Sequence, residues 1–423
     1  MDKSTFKKQK NLEDVLSKRQ VECVIRKMLD NKAEWRVTSS EVKPAADGMT
    51  GFLGDHLRVT LNVAAGDARK TIQLFIKRMP LENPPKVALI EENNFFKRER
   101  LLCDLLDEFQ SDDDLQPWCI KTLICSDSLV VMPDVRPLGY TSKSPLEPLD
   151  LPHLLLTAGS VARFHAATAN YENKKILRNN KPWTFSQEYA EMLHVDPSFR
   201  DSPWLRACAK LVANTLKVFC NKYNDKLDFE AKIITLFVKA CESLKEYEST
   251  LNVLLHKDLW ISNIMFRYEN SEPVEALLID YQCLRYGPPA FDLMILLYCT
   301  TYRTFREQHE LTVLRHYFSV FSENIDDATE RKLNKLGYDE KEFLEWCKRA
   351  RFFAAMQASA LFPFILMDPI TAQKIYDDPD TFEELMIADR TKPVVEYCHQ
   401  KPVYKERLIE VFEEFVERYY DEE

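Results

Sequence analysis

Glycine is scarce in this chain: 8 among 423 residues, about a quarter of the ~7% average usage. Three of the eight, Gly48, Gly51 and Gly54, nevertheless fall within seven residues, so that clustering needs a local cause. Long apolar runs are missing as well. The longest, Leu293 to Cys299, is far short of the ~18 residues of a membrane-spanning helix, so no membrane role is expected. There is no C-x-x-C pair among the 11 cysteines, an odd number, which read as scattered reduced thiols and not as a zinc site or disulfide framework. No long basic run interrupts a net charge of -10, which argues against nucleic acid as a partner. The first eight residues are charged and carry no apolar stretch, so the expectation is a cytoplasmic protein. Nothing calls for an obligate protein partner.

What is present is an ordinary globular composition, 45% hydrophobic and 29% charged. Leu12, Val15, Leu16, Val21, Val24, Ile25, Met28 and Leu29 recur at helical spacing. A strand is predicted near Trp35 to Val42, then a loop carrying the three glycines, then two alternating strands, Leu57 to Val63 and Thr71 to Lys77. Together they form an antiparallel meander. After Pro80, Pro84 and Pro85 one helix is predicted from about Val87 to Phe109, followed by short strands over Cys119 to Cys125 and Leu129 to Met132. Beyond Pro137 helical patterns dominate, which makes the chain α+β, with an N-terminal part over 1–135 and a C-terminal part over 136–423.

The chemistry concentrates in His256-Lys257-Asp258-Leu259-Trp260-Ile261-Ser262-Asn263, where Asp and Asn lie five positions apart after the apolar strand Val253-Leu254-Leu255. Phosphotransferases use this H-x-D-x-x-x-x-N spacing, the Asp acting on the attacking hydroxyl and the Asn binding a divalent metal. Ile264 to Tyr268 and Val274 to Ile279 read as a hairpin around Glu269 to Pro273. A symmetric turn centred between Ser271 and Glu272 sets Asn263 opposite Asp280, close enough to share one Mg²⁺; a bulge would shift that register.

Upstream, Glu99 lies on the apolar stripe formed with Phe95, Leu102 and Leu106, so it needs a cationic partner. Lys77 at the end of a strand is the natural candidate, with Arg98 and Arg100 as competitors. A strand-Lys to helix-Glu pair is how kinase folds hold a lysine on the α- and β-phosphates. Gly48, Gly51 and Gly54 between two strands permit close backbone approach to phosphates, although their spacing is G-x-x-G-x-x-G. Val130 to Val135 would be the hinge for adenine, through the Pro133 carbonyl and the Val135 N–H. His256 reads as support for the loop and not as a base, His165 as a core histidine, and Asp292 as either an acceptor for the loop backbone or a helix cap.

Leu74-Phe75-Ile76-Lys77, Phe96-Lys97-Arg98-Glu99, Val161 to Ala166, His256 through Phe266, Leu278 to Gln282 and Arg285 to Leu293, taken in order, resemble the aminoglycoside and choline kinase-like superfamily. More closely, the chain resembles the insect ecdysteroid kinase-like family, whose members phosphorylate hydroxyl groups of small molecules. The resemblance implies a two-lobed protein-kinase-like fold with a small sheet-bearing N-lobe. It also implies ATP and Mg²⁺ as cofactors and a small hydroxylated acceptor such as an ecdysteroid. By the same resemblance Asp258 is the catalytic carboxylate, Asn263 and Asp280 are metal ligands, and Lys77 with Glu99 is the phosphate-positioning pair. The family usually has Gly where Lys257 stands, Phe where Tyr281 stands and an acidic residue where Pro133 stands. Lys257 is expected to add a charge beside the transferred phosphoryl. That departure and the glycine spacing leave a non-catalytic binding module of the same fold as the alternative; a kinase for a cationic amino-alcohol such as choline is a third reading. Only eleven residues separate Asp280 from Asp292, too few for a protein-kinase activation segment.

Overall fold

A computed structural model describes residues 11–29, 33–46, 51, 53–109 and 117–421, and side chains throughout these except at 383–386. Gly48 therefore lies outside the described residues. The N-terminal lobe is a five-stranded sheet built from β1 (Arg36–Pro44), β2 (Asp55–Ala65), β3 (Ala68–Arg78), β4 (Ile124–Cys125) and β5 (Leu129–Pro133), in the spatial order β1-β2-β3-β5-β4 with antiparallel neighbours. The meander is the one expected from the alternation, and the alternation sorts its two faces. Leu57, Val59, Leu61, Ile72, Leu74 and Ile76 are buried on the outer face, against Val21, Val24 and Ile25 of α1 (Lys18–Met28). The other face carries His56, Arg58, Phe75 and Lys77 and roofs the cleft.

Two expected helices are broken in the structure. The N-terminal periodicity divides into a single 3₁₀ turn at Leu12–Asp14 and α1, because Ser17 caps α1 through a reciprocal pair with Gln20. The helix expected over Val87 to Phe109 is two, α2 (Pro84–Glu92) and α3 (Phe95–Phe109), because Asn94 adopts the left-handed conformation with φ 54. The interruption leaves α3 free to take its own direction under the sheet. The strand expected at Cys119 is confined to Ile124–Cys125; Cys119 makes one isolated bridge to Leu278.

The C-terminal lobe is helical around two small strand pairings. β7 (Val253–Leu255) pairs with β10 (Arg285–Gly287), and β8 (Ile264–Glu269) lies between β6 (Tyr140–Thr141) and β9 (Glu272–Leu278). The helix Ala290–Thr300 is buried along its whole length, packed between the long α4 (Leu151–Asn179) and the helix Glu340–Ile365. Among the described residues no single helix is long and apolar enough to cross a membrane. This two-lobed α+β arrangement leaves one cleft of about 370 Å³ between sheet and helices, lined from both lobes.

Candidate active site

The hairpin brings Asn263 and Asp280 to the cleft by a different route from the one expected. The turn is the two-residue Asn270-Ser271, both at positive φ (51 and 69) as a tight hairpin requires, and Asn is among the residues that tolerate that conformation. A bulge between Arg267 and Tyr268 then shifts the ladder, giving Ile264↔Leu278 and placing Asn263 beside Ile279, whose N–H donates to the Asn263 carbonyl at 3.0 Å. Asn263 and Asp280 are therefore not opposed across the ladder. Asp280 instead takes up a left-handed backbone (φ 67, ψ 65) at the strand end, and that turn directs its carboxylate into the cleft.

Three chain segments meet at the Lys77 ammonium. It donates to Glu99 Oε2 at 2.8 Å, Asp280 Oδ1 at 2.6 Å and Gln282 Oε1 at 2.9 Å. Lys77 and Glu99 are each 4% exposed, so the pair is desolvated and each needs the other. Burial works against the ammonium, but Asp280 and then Glu99 outweigh it and hold the Lys77 pKa above its ordinary value. Neither competitor reaches Glu99. Arg98 donates to the carbonyls of Asn93, Leu284 and Val195, and Arg100 turns outward to Asp127 and Asp104.

The loop that carries Asp258 is held from beneath. Asp292, fully buried, accepts the His256 N–H at 2.7 Å and the Lys257 N–H at 2.8 Å, and is itself held by His165 at 3.0 Å, whose other ring nitrogen meets the Tyr317 hydroxyl at 2.8 Å. Of its two candidate roles Asp292 thus takes the first; the helix it was expected to cap already begins at Ala290. His256 spans the loop, with Nε2 on the Ile279 carbonyl at 3.0 Å and Nδ1 accepting the Asp258 N–H at 3.3 Å, so neither ring nitrogen is left for chemistry. Asn263 donates through Nδ2 to the Asp258 carbonyl at 2.8 Å and carboxylate at 3.1 Å. Burial first, then the Asp280 charge, push the Asp258 carboxyl up to about 6.

Lys257 does not stand beside the cleft. Its φ of 65 explains why glycine suits this position, and its side chain runs into the core, where the ammonium meets Asp196 at 2.7 Å and lies 4.5 Å from the Phe199 ring centre. The expected charge near the phosphoryl is therefore neutralised elsewhere.

The donor set fits a hard cation. With its Nδ2 committed, Asn263 has Oδ1 to offer; Asp280 adds a carboxylate oxygen beside it. No cluster of three or more His, Cys, Asp or Glu capable of holding a metal occurs among the described residues. Two protein oxygens suit Mg²⁺ when phosphates and water fill the remaining positions. Phe75, Met132, Pro133, Val135 and Ile279 give the same cleft an apolar slot, with Asp134 beside them. Asp134 spends its N–H on the Gln73 carbonyl and its carboxylate on Arg58 and Arg136, and Pro133 and Val135 line the cleft on either side of it. Gly54 comes close to Lys77, whose Cγ lies 3.2 Å from the place a Cβ would take.

Sequence reading missed Gln282, Arg58 and His56. Counting back from Lys77 through the two-residue turn Gly66-Asp67 lands on His56, its observed partner, so that signal was available in the hairpin spacing.

A profile of the ecdysteroid kinase-like family matches residues 49–330, which take in every group just described. The chain belongs to this family. No curated protein matches it. Among solved structures, this ecdysteroid kinase-like chain is similar to the ADP-bound aminoglycoside phosphotransferase APH(2'')-Ib, at 15% identity over 82% of this chain and 99% of that one, TM-score 0.32. It is also similar to the GDP complex of wild-type aminoglycoside 2'-phosphotransferase-IIIa, at 11% identity over 93% and 99%, TM-score 0.37. A third is a microcompartment-associated aminopropanol kinase, at 12% identity over 79% and 95%, TM-score 0.28. These scores mark distant likeness only.

Proposed function

We propose that this ecdysteroid kinase-like chain is an ATP- and Mg²⁺-dependent kinase that transfers a phosphoryl group to a hydroxyl of a small molecule. The observation that carries the reading is the convergence of Lys77, Glu99 and Asp280, in contacts of 2.8 Å or less, in one cleft that Asn263, the partner of Asp258, also lines. Lys77 stays held by Glu99 and would exchange its contact with Asp280 or Gln282 for the nucleotide's phosphates, since its three donors are all engaged without them. Asp280 and Asn263 would hold the cation, which would supply charge neutralisation to the phosphates. Asp258, fixed by Asn263 and by its own N–H to His256, orients the acceptor hydroxyl and takes its proton as the oxygen attacks. Its raised pKa suits that task, because a base with a pKa near the working pH accepts a proton more readily than an ordinary carboxylate.

The acceptor end favours an uncharged body over a polycation. It would be walled by Trp260, Phe364, Ile365, Met367, Pro369 and Ala372, none of them acidic; the carboxylates in the described lining, Glu99, Asp134 and Asp280, are engaged by Lys77, Arg58 and Arg136. A hydroxylated steroid such as an ecdysteroid suits that surface; choline would have only the rings of Trp260 and Phe364, with no carboxylate among these residues to balance its charge. With Lys257 committed to Asp196, its charge no longer favours the non-catalytic alternative.

The test is incubation with labelled ATP, Mg²⁺ and a panel of ecdysteroids, phenols, glycosides and choline, with Asp258→Asn alongside. Label should pass to an apolar-bodied alcohol with the wild-type protein alone. Nucleotide binding with no acceptor labelled would support the binding-module reading instead.

A further inference from the structure

His56 has no part in the chemistry above, yet four observations single it out. It stands directly opposite Lys77 on the cleft face of the β2–β3 ladder, where paired residues have Cβ atoms ~4.5–5.5 Å apart. Its ring stacks with Phe75, centroids 5.5 Å apart and planes at 29°, so the two rings continue one aromatic ceiling from the slot toward the phosphate-binding lysine. Gly51 rests on it: a Cβ built there would lie 2.6 Å from His56 Cε1. Despite this packing, Nδ1 is buried without a hydrogen-bond partner. An apolar ring would fill the same space without that cost, because a buried polar atom left unpaired is unfavourable.

The geometry points to His56 as a nucleotide-contacting residue, its imidazole covering the ribose beside Phe75 and donating from Nδ1 to an oxygen at the ribose–phosphate junction. A ligand seated in the cleft against Gly51, Phe75 and Lys77 supplies the partner that the protein does not. The position beside Lys77 selects the phosphate end of the nucleotide and not the base, so His56 discriminates nucleotides from nucleosides. This inference rests on the cleft being a nucleotide site.

Calorimetric titration of ADP and of adenosine tests it, on the wild type, His56→Phe and His56→Asn. His56→Phe keeps a ring but no donor and should weaken ADP about tenfold or more, as loss of a hydrogen bond to a charged group does. Its adenosine affinity should stay within about twofold. His56→Asn, which can donate from the same place, should recover most of the ADP affinity. His56→Leu serves in place of the Phe variant if that one does not fold. Unchanged ADP affinity in the variant lacking the donor, or an equal loss for adenosine, would overturn the assignment while leaving the proposed function standing. Failure of the wild type to bind ADP at all would remove both.

Discussion

Lys257 should be a stability residue and not a catalytic one. Its ammonium is 1% exposed and Asp196 is 7% exposed, with 2.7 Å between them. Deleting one member of such a pair strands the other charge, at a cost of about 3–5 kcal/mol. Lys257→Met removes the charge but keeps the positive φ, so the full cost should appear. Lys257→Gly also relieves the left-handed strain, worth about 1 kcal/mol, and should lose correspondingly less. At ~2.1 cal/mol/K per residue, unfolding 423 residues carries ~0.9 kcal/mol/K, so the Met variant should melt about 3–6 °C lower. Burial alone would raise the Asp196 pKa, yet Lys257 and then Arg285 hold it below its ordinary value. The pair's contribution is therefore complete at neutral pH and is lost only as pH falls through that lowered pKa. The assay is thermal melting of Lys257→Met, Asp196→Asn and the double variant, with kcat measured on folded protein at 25 °C. The double variant should recover about 2 kcal/mol or more relative to the sum of the singles, while kcat changes less than about threefold. Unchanged melting together with a tenfold loss of kcat would refute the reasoning and return the lysine to the reaction.

Other expectations are read from the same coordinates. Asn94→Ala should cost about 1 kcal/mol in denaturant unfolding and Asn94→Gly close to nothing, because only the former is strained at φ 54; equal costs would mean that the α2–α3 break does not depend on that conformation. Asp292→Ala should lower kcat far more than it changes the nucleotide KM, since it frees the two loop N–H groups beneath Asp258 without touching the slot; a pure KM effect would contradict this. His56 is held down at about 4, chiefly by burial and then by Lys77. The nucleotide-free protein should therefore lose stability as pH falls from 6.5 toward 4, where the unfolded chain takes up a proton that the folded one refuses. His56→Phe should flatten that part of the profile, and an unchanged slope would show that other groups set it.

Much of the site was legible because its signals are local. The spacing of Asp258 and Asn263, the strand alternation ending at Lys77, and the position of Glu99 on an apolar stripe each depend on a few neighbouring residues. What was lost depends on backbone conformations that sequence patterns do not encode. Left-handed residues at Asn94, Lys257, Asn270, Ser271 and Asp280 split a helix, reversed a lysine, shifted a hairpin register and turned a carboxylate into the cleft. Each is a non-glycine residue in a conformation that glycine takes more easily, and in a chain with 8 glycines the absence of one is no guide. Long-range partners were equally hidden: nothing near Lys257 announces Asp196, sixty-one positions away.

The most direct test of the account is titration of ATP with and without Mg²⁺ into the wild type, Asp280→Ala and Asp258→Asn. The account predicts a large Mg²⁺-dependent gain in affinity for the wild type, kept in Asp258→Asn and lost in Asp280→Ala. The same gain in both variants, or none in the wild type, would contradict it.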